Sequence, residues 1–325
     1  MVTMQDVARA AGVSPMTVSN VVNDRPHIKP ATRTRVLAAI DDLGYRINAA
    51  GRNLRTGRTG TIGLAVPEVD NPYFSHLIAR VVEEAARHRL RIAIEQTGAA
   101  REAELEVVSM SRNRLYDGLL LSTAGLAAGD QDLLQVDYPI VLLGESMFDA
   151  PLDHIVMPNR EGSREAAEHL LARGCRRVAY LRRHDTDEDP RLAGYLDAMA
   201  TADREPLFID IDGFGTVAAA RAVAAAMAED NAPDGIACST DSLAFGAMRG
   251  VVDAGLRVPE DVRITGYDDV PMASIIMPSL TTIAPDHEAA ARTALEFLVE
   301  RLNGSAEPPR TYTIPHALRI RDSSR

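Results

Sequence analysis

Tyr73, Phe74, Ser122, Glu145, Arg191, Phe214, Thr240, Asp241 and Asp268 are the side chains in this sequence best suited to gripping a small polar molecule. Each stands just beyond a short apolar run or near the start of the helical pattern after one. TIGLAVP leads into Asn71-Pro72-Tyr73-Phe74, YDGLLLST ends in Ser122 and Thr123, and YPIVLLGE ends in Glu145. Thr240 and Asp241 follow GIACS, VRITGYD ends in Asp268, Arg191 opens RLAGYLDAM, and Phe214 lies beyond LFIDID. Aromatic faces cover the C–H face of a ring, while carboxylates and a fork-shaped guanidinium bind pairs of hydroxyls. The set therefore suits a polyhydroxylated ligand. A second group is of another kind: Pro15, Met16, Thr17, Ser19, Asn20 and Asn23 are short or polar and lie on one side of a helical stretch. The hydroxyls and amides among them can donate to phosphates and to base edges in a major groove.

The first group needs strands to carry it. From Thr61 onward, short apolar runs alternate with helical patterns over 74–89, 164–173, 191–202, 216–229, 242–254 and 287–303. This alternation predicts parallel sheets covered by helices on both faces, in which ligands sit at the C-terminal ends of the strands. The runs are too many for one comfortable sheet, so two doubly wound α/β subdomains with a cleft between them are expected.

The second group needs a helical head. Thr3 can cap a first helix, with Asp6 three residues on near its positive end. Gly12 stops that helix, Ser14 is an N-cap, and Pro15 takes the first helical position of the next. The two helices are separated by about three residues, the spacing of a helix-turn-helix. A third runs from Pro30 to Gly44, and Val7, Val18, Val21, Val36, Ile40 and Leu43 are the expected core. Charge separates this head from the body. Residues 1–60 hold nine basic and four acidic side chains, a net of +5, whereas the remaining 26 basic and 42 acidic ones leave −16. Only the head should approach a polyanion.

The run D-V-A-x-x-A-G-V-S-x-x-T-V-S-x-V-x-N, present as Asp6 to Asn23, resembles the signature of the lactose-repressor (LacI/GalR) family of bacterial transcription regulators. The likeness continues through T-R-x-R-V-L (Thr32 to Leu37) and L-G-Y (Leu43 to Tyr45). The resemblance implies that Pro15, Met16 and Asn20 read bases and that Thr17, Ser19, Asn23 and His27 hold the DNA backbone. The caps Thr3 and Ser14 join this set. It also implies a hinge helix within 47–60 that presses Leu54 into a minor-groove step, with Asn48 and Arg52 beside it. Ile47 and Gly51 depart from the usual proline and alanine. Gly51 costs a helix about 1 kcal/mol relative to alanine, and so short a segment is not helical alone in water, so the hinge is expected to fold on the operator.

For the body, the resemblance implies a fold similar to periplasmic sugar-binding proteins. Lobe 1 would span about 61–157 and 287–314, and lobe 2 about 158–286 and 315–325, after a head over 1–46. It places Tyr73, Phe74, Arg191, Phe214, Asp241 and Asp268 around an effector, while Thr240 stands where asparagine is frequent. The implied partners are double-stranded DNA with a pseudo-palindromic operator, a small-molecule effector such as a sugar, and a second copy of the chain. No cofactor is implied.

Other classes fare worse. Gly213-x-Gly215-x-x-Ala218 follows LFIDID and formally matches a dinucleotide fingerprint, the mark of an NAD(P)-dependent oxidoreductase, but no strand-end acid follows about twenty residues later. The acidic loop 184–189 has oxygen ligands for a hard cation but lacks the turn glycine and the closing bidentate acid, so no metal is expected. There is no nucleophile elbow, phosphate-binding loop or zinc spacing, and a non-enzyme is expected. Cys175 and Cys238 are expected to be reduced thiols. Asp6 and Arg9 interrupt any secretory signal, and no run is long enough to span a membrane, so a cytoplasmic protein is expected.

Overall fold

The computed structural model describes residues 2–22, 25–45, 58–112, 115–126, 128–144, 150–183, 189–211 and 215–325. The expectations for Asn23, Asn48, Gly51, Arg52, Leu54, Glu145, Phe214 and the acidic residues 184–188 lie outside these. Two compact units are present, Met1–Thr59 and Gly60–Arg325.

The first unit is built from α1 (Met4–Ala11), α2 (Pro15–Val22) and α3 (Pro30–Asp42). Its helix ends are set by local chemistry. The Thr3 hydroxyl accepts from the amide of Asp6, whose carboxylate accepts in return from the Thr3 amide, a reciprocal capping box. Gly12 closes α1 at φ 61°, a conformation that costs a residue with a Cβ. Val7, Ala8, Ala11, Val18, Val21, Val36 and Ala39 form the core, with Ile40 packed against it. Leu43 does not join it: α3 ends one residue earlier, and beyond that end the side chain turns outward, so Ala39 takes the inward place.

The second unit contains two sheets. In chain order, lobe 1 begins with β1 (Thr61–Val66), α4 (Pro72–Arg87), β2 (Arg91–Gln96) and α5 (Arg101–Arg112). It continues with β3 (Gly118–Ser122), β4 (Ile140–Leu143) and β5 (Asp153–Val156). Lobe 2 begins with α6 (Asn159–Ala172), β6 (Val178–Arg183), α7 (Pro190–Thr201), β7 (Leu207–Ile211) and α8 (Gly215–Ala226). Then come β8 (Gly235–Cys238), α9 (Asp241–Asp253), β9 (Arg263–Tyr267) and β10 (Thr281–Pro285). The chain returns to lobe 1 for α10 (His287–Leu302) and β11 (Thr311–Thr313), and ends in lobe 2 with β12 (His316–Arg319).

The strand orders are β11-β5-β4-β3-β1-β2 and β12-β10-β9-β8-β6-β7. Each sheet thus repeats the doubly wound order 2-1-3-4-5, and each takes its sixth strand from the C-terminal part of the chain, after a crossover. All pairings are parallel except β10 with β12, where the final segment runs back along its neighbour. Three crossovers join the lobes: between β5 and α6, between β10 and α10, and between β11 and β12. The lobe 1 core of Ile62, Leu64, Leu120, Val141 and Leu298 continues through Met157 into Ala166, Tyr267 and Ile283 of lobe 2. A helix over 101–112 and the strands β10 to β12 have no counterpart in the sequence reading, because TTIAP, TYT and HALR are too short and mixed to show a period. Among the described residues, no helix is long and apolar enough to cross a membrane.

Candidate nucleic-acid interface and ligand cleft

In the head, Ser14 and Thr17 fix the start of α2. The Ser14 hydroxyl oxygen accepts from the Thr17 amide at 3.1 Å and lies 3.0 Å from the Thr17 hydroxyl. Pro15 and Met16 are thereby held on the exposed first turn, Met16 with 69% of its surface open, and Asn20 follows one turn later on the same side. Val18 and Val21 face the other way, into the core. The positive end of α2 favours an anion there. Thr3 and Ser14 act within the fold as caps. His27 is exposed with φ 77°, in the turn before α3.

In the body, the doubly wound order places a switch point beside β1 and β3 in lobe 1 and beside β6 and β8 in lobe 2, where helices leave the sheet in opposite directions and open a crevice. Among the described residues, Tyr73, Phe74, Ser122, Arg191 and Asp268 lie at or beyond strand ends or at the start of the next helix. In lobe 1, Asn71 caps α4 by accepting from the Tyr73 amide at 3.0 Å, and Pro72 occupies its first turn. This presents Tyr73 and Phe74 edge to face, with centroids 4.8 Å apart, while the Tyr73 hydroxyl reaches Met157 Sδ at 3.8 Å. Ser122 closes β3 and is buried.

Lobe 2 contributes a charged cluster. Asp189 caps α7 by accepting from the Arg191 amide at 2.9 Å. Arg191 then donates from Nε to Asn159 Oδ1 at 2.8 Å and from Nη1 to the Ser239 carbonyl at 2.5 Å. Its guanidinium lies 3.9 Å over the Tyr267 ring, and its Nη2 is 3.5 Å from Asp268 Oδ1. The arginine side chain is 15% exposed and the aspartate 5%. Burial pushes the Asp268 carboxyl up to about 7, against the lowering pull of Arg191. Burial opposes the charge on Arg191, yet Asp268, Tyr267 and Asp189 together hold it above its usual value.

Thr240 and Asp241 have a different placement. Thr240 caps α9, accepting from the Leu243 amide at 3.2 Å. Asp241 is fully buried: Oδ2 accepts from the Val270 amide at 2.9 Å and Oδ1 from the Thr282 hydroxyl at 2.5 Å. Both oxygens are committed inside the lobe, so Asp241 braces the loop after β9 rather than facing the crevice. Burial, then the neighbouring charge of Asp268, pushes its carboxyl upward.

Sequence reasoning missed Asn159, Ser239, Tyr267 and His287 as members of this cluster. The first three stand at or just beyond strand ends, so the rule that singled out Ser122 and Asp268 would have found them. Gly213 is outside the described residues. Gly215 opens α8 at φ 82°, but β7 before it is the edge strand of its sheet, away from the switch point where a dinucleotide would lie. A cavity of about 530 Å³ also opens at the crossovers, lined by His76, Arg80, Asp269, His287, His316 and Arg319 among others. It shares His287 with the surroundings of Tyr73 but contains neither Tyr73, Phe74 nor Arg191, and the strand-end cluster is the site that fold topology favours.

A helix-turn-helix head and a two-lobed α/β body with charged and aromatic groups at its switch points together define a ligand-sensing DNA-binding regulator. Comparison with known proteins agrees. The family described as "Bacterial regulatory proteins, lacI family" matches residues 3–48, and "Periplasmic binding protein-like domain" matches residues 167–324. The HTH-type transcriptional repressor PurR of Photobacterium profundum is 32% identical over 334 residues, covering 99% of this chain and 98% of its own. The crystal structure of the Lac repressor dimer bound to operator and the anti-inducer ONPF is similar, with a TM-score of 0.86 at 26% identity, covering 99% of each chain. A complex of the transcriptional regulator CelR with cellobiose aligns with a TM-score of 0.71 at 26% identity, covering 99% of this chain and all of that one. The chain belongs to the lacI family of bacterial regulatory proteins.

Proposed function

We propose that this chain is a cytoplasmic, homodimeric repressor, without catalytic activity, that grips a pseudo-palindromic operator through two heads and is controlled by a sugar or sugar derivative bound between its lobes. The observation that carries the effector reading is the Arg191–Asp268 pair. It is a nearly desolvated charge pair at a sheet switch point, stacked on Tyr267, with Oδ1 of Asp268 making no hydrogen bond among the described residues. Such groups are costly to bury and pair well with ligand hydroxyls. Tyr73, Phe74 and Ser122 are assigned to the opposite wall, and Pro15, Met16 and Asn20 to the bases. The cellobiose complex of CelR supports a sugar as the ligand class, and the Lac repressor dimer supports a two-fold operator complex.

The test is a thermal-shift panel of pentoses, hexoses, disaccharides and their phosphates on the full-length protein. A ligand at a hundred times its Kd stabilises by about 2.7 kcal/mol, which for a body of this size is a melting shift of about 5–10 °C. One sugar should produce it in the wild type and not in Arg191→Ala. A panel with no shift overturns the effector reading.

A further inference from the structure

We propose that His287 is the positioning residue that couples the Arg191–Asp268 pair of lobe 2 to the Tyr73–His76 end of α4 in lobe 1. The inference rests on the ligand reading of that pair and adds the route by which its state reaches the other lobe.

His287 is the first residue of α10, just past the crossover at Pro285 and Asp286, and is 7% exposed. Its Nε2 lies 2.7 Å from the Asp268 carbonyl oxygen. A carbonyl only accepts, so Nε2 carries the proton and the ring holds one tautomer. The same ring packs against lobe 1, with its centroid 5.6 Å from that of Tyr73 and 5.1 Å from that of His76, edge to face in the second case. One buried side chain therefore touches the ligand-pair backbone on one side and the first turns of α4 on the other.

The backbone it touches is unusual. Asp268 and Asp269 adopt φ values of 118° and 49°, both in the region that favours glycine. Such conformations persist only where the surroundings over-determine them. Here three bonds do so: the Asp268 amide to the Ile283 carbonyl at 2.9 Å, the Val270 amide to Asp241, and His287 on the Asp268 carbonyl. The carbonyl and the carboxylate belong to one residue, so a change in how the carboxylate engages Arg191 or a ligand turns the peptide that His287 holds. That movement is delivered to the His76 and Tyr73 rings. A side chain that only filled space would need no donor.

The experiment follows the histidine rings of the full-length protein by carbon-13 NMR and reads the titration midpoint of His76. That ring is faced by Arg80, Asp269, Glu288 and His287, and Asp268 is not among its electrostatic neighbours. Asp268→Asn is introduced into three backgrounds. His287→Phe keeps the aromatic packing and removes the donor. His287→Gln removes the ring and keeps an N–H four bonds along. The midpoint should move by about 0.3 pH unit or more in the wild type, and by less than about 0.1 unit in both His287→Phe, which lacks the donor, and His287→Gln, which lacks the ring. An equal movement with phenylalanine or glutamine, or none in the wild type, overturns the proposal. Should His287→Phe not fold, His287→Leu takes its place with the same expectations. A sugar panel without a hit would sink the ligand reading and leave this test intact, because the perturbation is the Asp268 substitution itself.

Discussion

A Cβ built on Gly266 would stand 2.3 Å from Oδ1 of Asp241. The absence of a side chain at the next-to-last residue of β9 is what lets the carboxylate at the start of α9 lie against the strand and reach both Val270 and Thr282. Gly266→Ala should therefore lower stability by about 1–3 kcal/mol, the usual cost of overpacking a filled site. Urea unfolding of the full-length protein measures it, and an unchanged midpoint would show that the carboxylate relaxes freely.

The raised carboxyl of Asp268 makes a signed prediction. Between the ordinary value of 3.8 and about 7 the folded protein keeps a proton that the unfolded chain has released. The group's contribution is therefore most favourable below about pH 4, declines as pH rises to about 7, and is constant above. The advantage of Asp268→Asn over the wild type should grow across that window and then level off. Burial lowers His76, His154, His169 and His287, which work in the opposite sense: their contribution is full above 6.5 and is lost as pH falls below it. The difference curve between wild type and variant removes the groups that Asp268 does not influence.

Arg191→Lys keeps the charge but gives up the fork that joins Asn159, Ser239 and Asp268. Binding of the sugar identified by thermal shift should weaken at least tenfold by calorimetry, about 1.4 kcal/mol. DNA binding by the free protein should be unchanged within twofold.

In the head, Asn20→Ala should reduce preference for the selected duplex over random DNA, because a lost base contact costs about 1–3 kcal/mol of discrimination. Affinity for any duplex should also fall steeply with salt, since the +5 head must displace counterions. A flat salt curve would exclude a phosphate-gripping role.

The second copy should cover exposed apolar side chains. Ile275 and Met277 stand open on the loop before β10, Met277 with 98% of its surface exposed. Large uncovered apolar groups of this kind mark association surfaces. Ile275→Asp with Met277→Asp should convert a dimer to a monomer by light scattering, with the melting of the body otherwise retained.

Several features were legible in the sequence because the interactions behind them span only a few residues. Thr3 with Asp6, Gly12, and Ser14 with Pro15 each set a helix boundary through contacts within one turn. The alternation from Thr61 onward announced strands capped by helices, strand-end position pointed to Asp268, and the opening of a helix pointed to Arg191. Leu43 shows the limit of periodicity: the pattern continues past residue 42, but the helix does not.

Asp241 and His287 show what sequence alone leaves open. A carboxylate after an apolar run reads the same whether it faces a crevice or turns back onto its own lobe. Its partners lie 29 and 41 residues away, and only the packed sheet brings them within reach. His287 likewise reads as an ordinary helix opening until the crossover places it between the backbone of one lobe and the rings of the other. Local chemistry determined where the helices begin and end. Which polar groups are spent inside a lobe, and which remain to meet a ligand, was decided by long-range packing, because burial and partner choice depend on strands that are distant in the chain.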